Sequence, residues 1–339
     1  MSSITLVLPY ALPLPEFAPD LVRNLDTPAL AALLTRSARH GRVPVSEEVR
    51  ALPHEQWLAR ALGAGPDGQP AFAGAAMRGF GLAPGDGTWF IVNPAHIQIA
   101  RSHLMMADLR HLALSEDDSR ALFEAARALC EDAGHPLVYG DAQTWFLRAD
   151  DWAGLDTATP DTAVGMDLID FMPKGEQARA YRRLQNEVQM QWHSHPVNAA
   201  REGRRLPAVN AFWLWGAAGR PSAASAPRLA TYAAPGWLAA LGAHKLASLG
   251  ELDGALEDNT LLVAGSLAES AIAADWGSWI MGMRQLEEQL FAPLLAALRQ
   301  GRVRELRLVL SSREGLLEST TTGMAQRKFW RRPTLERLT

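Results

Sequence analysis

The chain has 339 residues, 48% of them hydrophobic and 21% charged, which is an ordinary soluble composition but longer than a single core usually runs. Two domains, or one domain carrying a large insertion, are therefore expected. The net charge of -4 excludes a general attraction to nucleic acid or anionic membrane, and a lone cysteine excludes an internal disulfide.

No apolar run approaches the roughly 20 residues of a membrane span. The first stretch contains Pro9 and Pro13 and lacks the basic start of a signal peptide. A soluble, cytoplasmic protein with no membrane partner is expected.

In chain order, Ile4–Leu8 reads as a buried strand stopped by Pro9. Pro28 suits the first position of a helix capped by Thr27, with Leu30, Leu33 and Leu34 on one face. A second short helix is predicted over Glu55–Leu62. The Gly-, Ala- and Pro-rich stretch 63–87 reads as a linker or domain crossing, with Gly85-Asp86-Gly87 as a tight turn.

Trp89–Val92 and Gln143–Leu147 read as strands. Between them Ser115 caps a helix with Leu122, Phe123, Ala126, Leu129 and Cys130 at helical spacing and Gly134 after its end. Cys130 is expected in the core. Another amphipathic helix, Gln177–Trp192, aligns Tyr181, Leu184, Val188 and Trp192.

Leu261–Ala264 and Leu306–Leu310 read as buried strands joined by a long helix. Trp279, Met283, Leu286, Leu290 and Leu294 form its apolar stripe, and Pro293 within it predicts a kink or restart. Strand, helix, strand in this order implies a parallel crossover. The expected organisation is a core in two parts, 1–75 and 196–339, around an inserted α+β domain over 76–195.

Motifs for familiar chemistry are few. There is no GxxxxGK[ST] loop, GxGxxG turn or GxSxG elbow. His193 and His195 form an HxH pair at a helix end beside Pro196, where helix termination outweighs metal binding because no further ligands complete a set. Ser311 and Ser312 end a strand, where capping outweighs nucleophilic chemistry. Asp161, Asp167 and Asp170 read as solvent-facing acids of an amphipathic segment. The stretch Gly301–Thr339 holds nine Lys/Arg against four Glu. Within it, Gln326–Pro333 alternates cations with aromatics, which suggests a tail lying over an acidic groove of its own protein rather than a nucleic-acid site.

The most informative stretch is His195–Pro221, HPVNAAREGRRLPAVNAFWLWGAAGRP. An apolar run, Ala211–Trp215, enters a Gly-Ala-Ala-Gly segment ending on Arg220, as if a buried strand delivered a loop and a cation to one place. His195-Pro196-Val197-Asn198, Arg201, Pro207, Asn210, Trp213-Leu214-Trp215-Gly216 through Gly219, and Pro221 together resemble a signature of the archaeal-type cofactor-independent phosphoglycerate mutases. They also resemble a bacterial branch known as RpfE-type regulatory proteins. Thr27–Leu30 and Phe291–Leu298 resemble an early and a late helix of the same family.

The resemblance implies an α/β fold: an alkaline-phosphatase-like core with a mainly parallel sheet, interrupted by a smaller α+β inserted domain. It also implies two divalent metals and a phosphorylated serine. Yet the first strand, expected to lead into Asp-Gly, runs Leu8-Pro9-Tyr10. The late strand, expected to end Asp-His-Ser/Thr, ends Leu310-Ser311-Ser312-Arg313. The block expected to read Pro-Asp-Glu-Ala-Gly-His appears as Leu267-Ala268-Glu269-Ser270-Ala271-Ile272. Metal-dependent mutase activity is therefore not supported by the residues present, and no catalytic residue, metal or cofactor is assigned.

The expectation is a catalytically degenerate relative that binds a ligand or protein partner in regulation. The alternative is a mutase-like or phosphatase-like enzyme with diverged chemistry. Asn198, Arg201, Asn210 and Arg220 are the candidate ligand-binding residues, for a phosphorylated or carboxylated small molecule, because Arg pairs bidentately with such groups.

Overall fold

A computed structural model describes residues 2–46, 48–65, 67–100, 103–219, 228–242, 244–251 and 258–339. The strands, in chain order, are β1 (Ser2–Leu8), β2 (Arg39–Val43), β3 (Trp89–Ala95), β4 (Ile97–Ala100), β5 (His103–Met106), β6 (Leu137–Asp141), β7 (Thr144–Arg148), β8 (Ala211–Ala218), β9 (Arg228–Tyr232), β10 (His244–Leu246), β11 (Thr260–Ala264), β12 (Val303–Ser311) and β13 (Leu316–Thr322). The chain divides into two compact units, Met1–Ser46 with Ser225–Thr339, and Glu47–Ala224.

The first unit is built on a seven-stranded sheet, β10-β9-β11-β1-β12-β13-β2. Its strands run parallel from β10 to β12, and β13 and β2 are antiparallel additions at one edge. Central β1 reads as a nearly continuous apolar run because both its faces are covered, and Ile4, Leu6, Val7 and Leu8 are all buried. The fold is the mixed α/β arrangement that the sequence implied.

The long helix between β11 and β12 breaks as the proline predicts. An α-helix Trp276–Leu286 passes into a π-turn Glu287–Phe291, and a new α-helix runs Ala292–Arg299 with Pro293 in its first turn. The extra residue of the π-turn relieves the clash and missing donor that Pro293 imposes on the preceding turn. Trp279, Met283, Leu286, Leu290 and Leu294 are buried, as the stripe required.

The π-turn also caps another helix. Thr27 stands at the N-cap of the helix Pro28–Thr35 but makes no side-chain cap bond. Instead the buried Glu287 carboxylate accepts from Ala29 N at 2.5 Å and Leu30 N at 3.1 Å. A negative group there answers two open donors and the positive helix end together, which no local cap motif could announce.

The second unit holds the antiparallel sheet β6-β7-β3-β8 and the hairpin β4-β5. Ser115 Oγ accepts from Asp118 N and starts the helix Glu116–Asp132, and Gly134 takes φ +84° beyond its end. This helix and Ala178–His193 cover the sheet through an aromatic cluster. Trp192 meets Trp145 at 5.9 Å, and Tyr181 meets Trp152 at 6.0 Å and Phe212 at 5.9 Å, all edge to face. Cys130 lies in this core, where burial pushes its thiol up to about 12.

These units do not coincide with the boundaries expected at 75/76 and 195/196. β8 pairs with β3, so the signature strand belongs to the inserted unit. The stretch 63–87 is also no linker: it contains the helix Ala73–Gly79, with Phe72, Ala73, Ala76 and Met77 buried. Small residues there allow close packing, a role that composition alone does not separate from a flexible crossing. The inserted unit is consequently larger than expected and not the smaller of the two. No helix among the described residues is long and apolar enough to cross a membrane.

Candidate functional site

Open α/β sheets place ligands beyond the carboxyl ends of their parallel strands, so that rim of the first unit is the primary location to inspect. Beyond β1 the chain turns at Pro9-Tyr10, with Tyr10 at φ +60° and 6% exposed. Tyr10 N donates to Ser311 Oγ at 3.4 Å, and its carbonyl accepts from Trp279 Nε1 at 2.8 Å. Leu12 N donates to the Ser311 carbonyl at 2.9 Å. Ser312 Oγ accepts from Glu314 N at 3.2 Å and Gly315 N at 2.9 Å, which is the turn-capping role expected for it. Beyond β11, Leu267 and Ala268 are buried.

Hydroxyls, an indole and aliphatic groups therefore occupy this rim. Two divalent ions need clustered carboxylates and imidazoles. Among the described residues, no group of three or more His, Cys, Asp or Glu side chains could hold a metal ion. The described residues of this rim do not fit the metal pair that the resemblance implies.

The signature block forms the frame of the inserted unit. His195 Nδ1 accepts from Val197 N at 3.2 Å and caps the helix Pro196–Gly203. Asn198 is buried; its amide donates to the Trp192 and Val209 carbonyls at 2.8 and 2.9 Å, and its oxygen accepts from Val209 N at 2.8 Å. Asn210 accepts from Ile97 N and donates to Ile97 O, both at 2.7 Å, imitating one rung of a strand ladder. Arg201 is fully buried and donates to the Pro207 carbonyl at 2.9 Å, to Ala113 O at 3.3 Å and to Leu112 O, with Asp118 at 3.5 Å.

These three candidate residues hold backbone segments together, and their polar atoms are already engaged. Arg220, the fourth, lies outside the described residues. The Gly-Ala-Ala-Gly loop is also revised, since Gly216 to Ala218 belong to β8. Two steps of β3, Trp89 to Ile91, face three of β8, Ala218 to Trp215, so β8 bulges there. Gly216 takes φ +71° at the bulge, a conformation a side chain would strain. Trp213 and Trp215 are core residues whose indoles donate to Ala158 O and Asn93 Oδ1, each at 2.7 Å.

A buried ionic cluster in the same unit was not foreseen. Pro53 and Glu55 start the helix Pro53–Ala61, and Glu55 accepts from Leu52 N at 2.8 Å and Thr159 Oγ1 at 2.6 Å. Burial, reinforced by the Asp161 charge, raises the Glu55 carboxyl from 4.5 to about 8. Burial lowers neighbouring His54 from 6.5 to about 4. Arg110 forks onto Asp161 at 3.0 and 2.6 Å and reaches Asp108 at 2.9 Å. Burial opposes its charge, but the two carboxylates outweigh that and raise its pKa. Asp167 and Asp170 are exposed as expected, whereas Asp161 is the partly buried member of this cluster. The Pro-x-Glu helix start was its one visible sequence signal.

No family model matches the chain. It is similar to a curated relative from Geobacter sulfurreducens, described as "Probable 2,3-bisphosphoglycerate-independent phosphoglycerate mutase", at 29% identity over 199 residues. That match covers 56% of this chain and 49% of the relative, so the chain spans about half the length of the curated relative it matches. The PH0037 protein from Pyrococcus horikoshii superposes with a TM-score of 0.59 at 12% identity, over 99% of this chain and 91% of its own, and shares the fold. A cofactor-independent phosphoglycerate mutase from Thermoplasma acidophilum DSM 1728 gives a TM-score of 0.47 at 15% identity, over 95% of this chain and 90% of its own. The likeness to phosphoglycerate mutases read from the His195–Pro221 block is thus met by a curated relative of that description.

Proposed function

We propose that this chain is a catalytically degenerate relative of the cofactor-independent phosphoglycerate mutases that acts in regulation, through a ligand or a protein partner. The RpfE-type branch that its signature also resembles supports the regulatory part. The observation that supports this reading is the described rim beyond β1, β11 and β12, where Tyr10, Leu267, Ser311 and Trp279 offer no carboxylate or imidazole. Phosphoryl transfer assisted by two metals has no support without such ligands.

In the small-molecule version of this proposal, Arg220 is the residue that meets a phosphate or carboxylate. Asn198, Arg201 and Asn210 frame the segment leading to it. A thermal-shift screen with phosphoglycerates and nucleotides tests this version. The expected result is a rise in Tm with at least one of these compounds in the wild type, lost in Arg220→Ala. No stabilisation of the wild type by any of them would remove the small-molecule version and leave the protein partner. The relative's description favours one other reading, a mutase-like or phosphatase-like enzyme with diverged chemistry, which turnover measurements address.

A further inference from the structure

The seven-stranded sheet ends on β2, whose residues Arg39 to Arg42 are exposed. An edge strand offers a row of backbone donors and acceptors at about 3.3 Å per residue, and proteins guard it with short length, proline, a bulge, charged side chains or a covering element. The five-residue β2 is guarded by its cations, which repel a neutral or basic strand but attract an acidic one. Arg39 and His40 have no side-chain hydrogen bond or ion pair among the described residues. Arg42 donates to the Thr339 carbonyl at 2.9 Å.

The C-terminal segment adds to the same patch. Arg36 Nε donates to the Arg331 carbonyl at 3.3 Å, and Thr334 N donates to Thr35 Oγ1 at 2.9 Å. Arg337 donates to Ser37 Oγ and the Leu34 carbonyl. His40 is lowered by burial first, then by the Arg337 and Arg331 charges, so these cations share one field with β2. Phe329 and Trp330 stand 81% and 70% exposed beside them, ring centroids 5.3 Å apart. Among the described residues the hydrogen-bond partners of this segment include Ala32, Leu34 to Ser37 and, at Thr339, Arg42 of β2, none of them acidic.

Along β2 and its neighbours runs a groove of about 450 Å³ lined by Arg39, His40, Arg42, Arg307, Glu305 and Glu318. Gly41 opens it, because a Cβ there would meet nothing within 4 Å. From these features we propose that β2 is a docking edge for an acidic, extended polypeptide segment of a partner protein, which adds as a further strand. Its backbone pairs with the free edge, its carboxylates meet Arg39, His40 and Arg331, and a side chain enters over Gly41. A nucleic acid has no row of backbone groups to pair with a strand edge, which favours a polypeptide, whose carboxylates lie toward the cations of β2 and away from Glu305 and Glu318. The inference is independent of the proposed loss of catalysis.

The test is fluorescence anisotropy on the full chain with a labelled Glu-Thr peptide of repeating Glu-Glu-Thr-Thr sequence, which puts carboxylates on both faces of a strand as Arg39 and His40 require. Saturable binding that weakens with salt is expected. It should fall about tenfold or more in Arg39→Glu and in Arg331→Glu, both surface changes that leave the melting temperature in place. The Lys-Thr counterpart, and the Glu-Thr peptide N-methylated at alternate residues, should not bind. Binding that survives both charge reversals, binding indifferent to N-methylation, no binding at all, or tighter binding of an oligo-dT strand would each overturn the proposal.

Discussion

Arg201→Met is expected to lower the unfolding free energy by about 3–5 kcal/mol, read as a drop in the midpoint of a urea titration at unchanged slope. The wild-type guanidinium is fully buried and serves the Leu112, Ala113 and Pro207 carbonyls. Methionine fills part of the volume but donates nothing, leaving three carbonyls to lose a partner at about 1–3 kcal/mol each where water does not reach. Arg201→Lys should recover only a fraction, since one ammonium cannot span carbonyls that a planar fork reaches. A residue kept mainly for a ligand would give a small stability change and a large loss of ligand response. A midpoint shift near zero would return Arg201 to the ligand-binding group.

The second large effect is a pH dependence in the buried cluster. Glu55 is raised from 4.5 to about 8, so between these values the folded chain binds more protons there than the unfolded chain. Stability from Glu55 is therefore present at low pH and is lost as pH rises through that window. His54, lowered from 6.5 to about 4, acts in the opposite sense: stability grows as pH rises between those values. The two slopes oppose each other where both groups titrate, and Glu55 acts alone above the ordinary histidine value. A single group can contribute at most about 1.4 kcal/mol per pH unit, so stability should fall by about 2 kcal/mol from near-neutral to mildly alkaline pH.

Glu55→Gln keeps the acceptor oxygen for Leu52 N and Thr159 Oγ1 and removes the titration. Its denaturation midpoint should be flatter than wild type's over that range, and curves of equal slope would contradict the assignment.

Much of the architecture was legible because periodicity survives single departures. The Trp279–Leu294 stripe located a helix, Pro293 located its break, and Ser115 with Gly134 located both ends of another. Sequence and structure part where a side chain's partner is set by the fold and not by its immediate neighbours. Thr27 looked like a cap, but Glu287 answers those donors. Asn198, Arg201 and Asn210 looked like ligand residues because Asn and Arg suit anions. They suit bare carbonyls and strand ends equally well, and only the fold shows which they meet. Asp161 looked solvated because Arg110 is distant in the chain. The domain boundary was misplaced because the signature strand pairs with β3, and strand pairing leaves no local trace.

The first and late strands lead into Pro9-Tyr10 and Ser311-Ser312, and in the fold Tyr10 is hydrogen-bonded to Ser311 and Trp279. The most direct measurement is turnover by the purified chain, with manganese or cobalt added, on phosphoglycerate and on a general phosphatase substrate. A rim built of hydroxyl, indole and aliphatic groups predicts no mutase or phosphatase turnover above the metal-only background. Metal-dependent turnover that co-purifies with the chain would contradict the loss of catalysis.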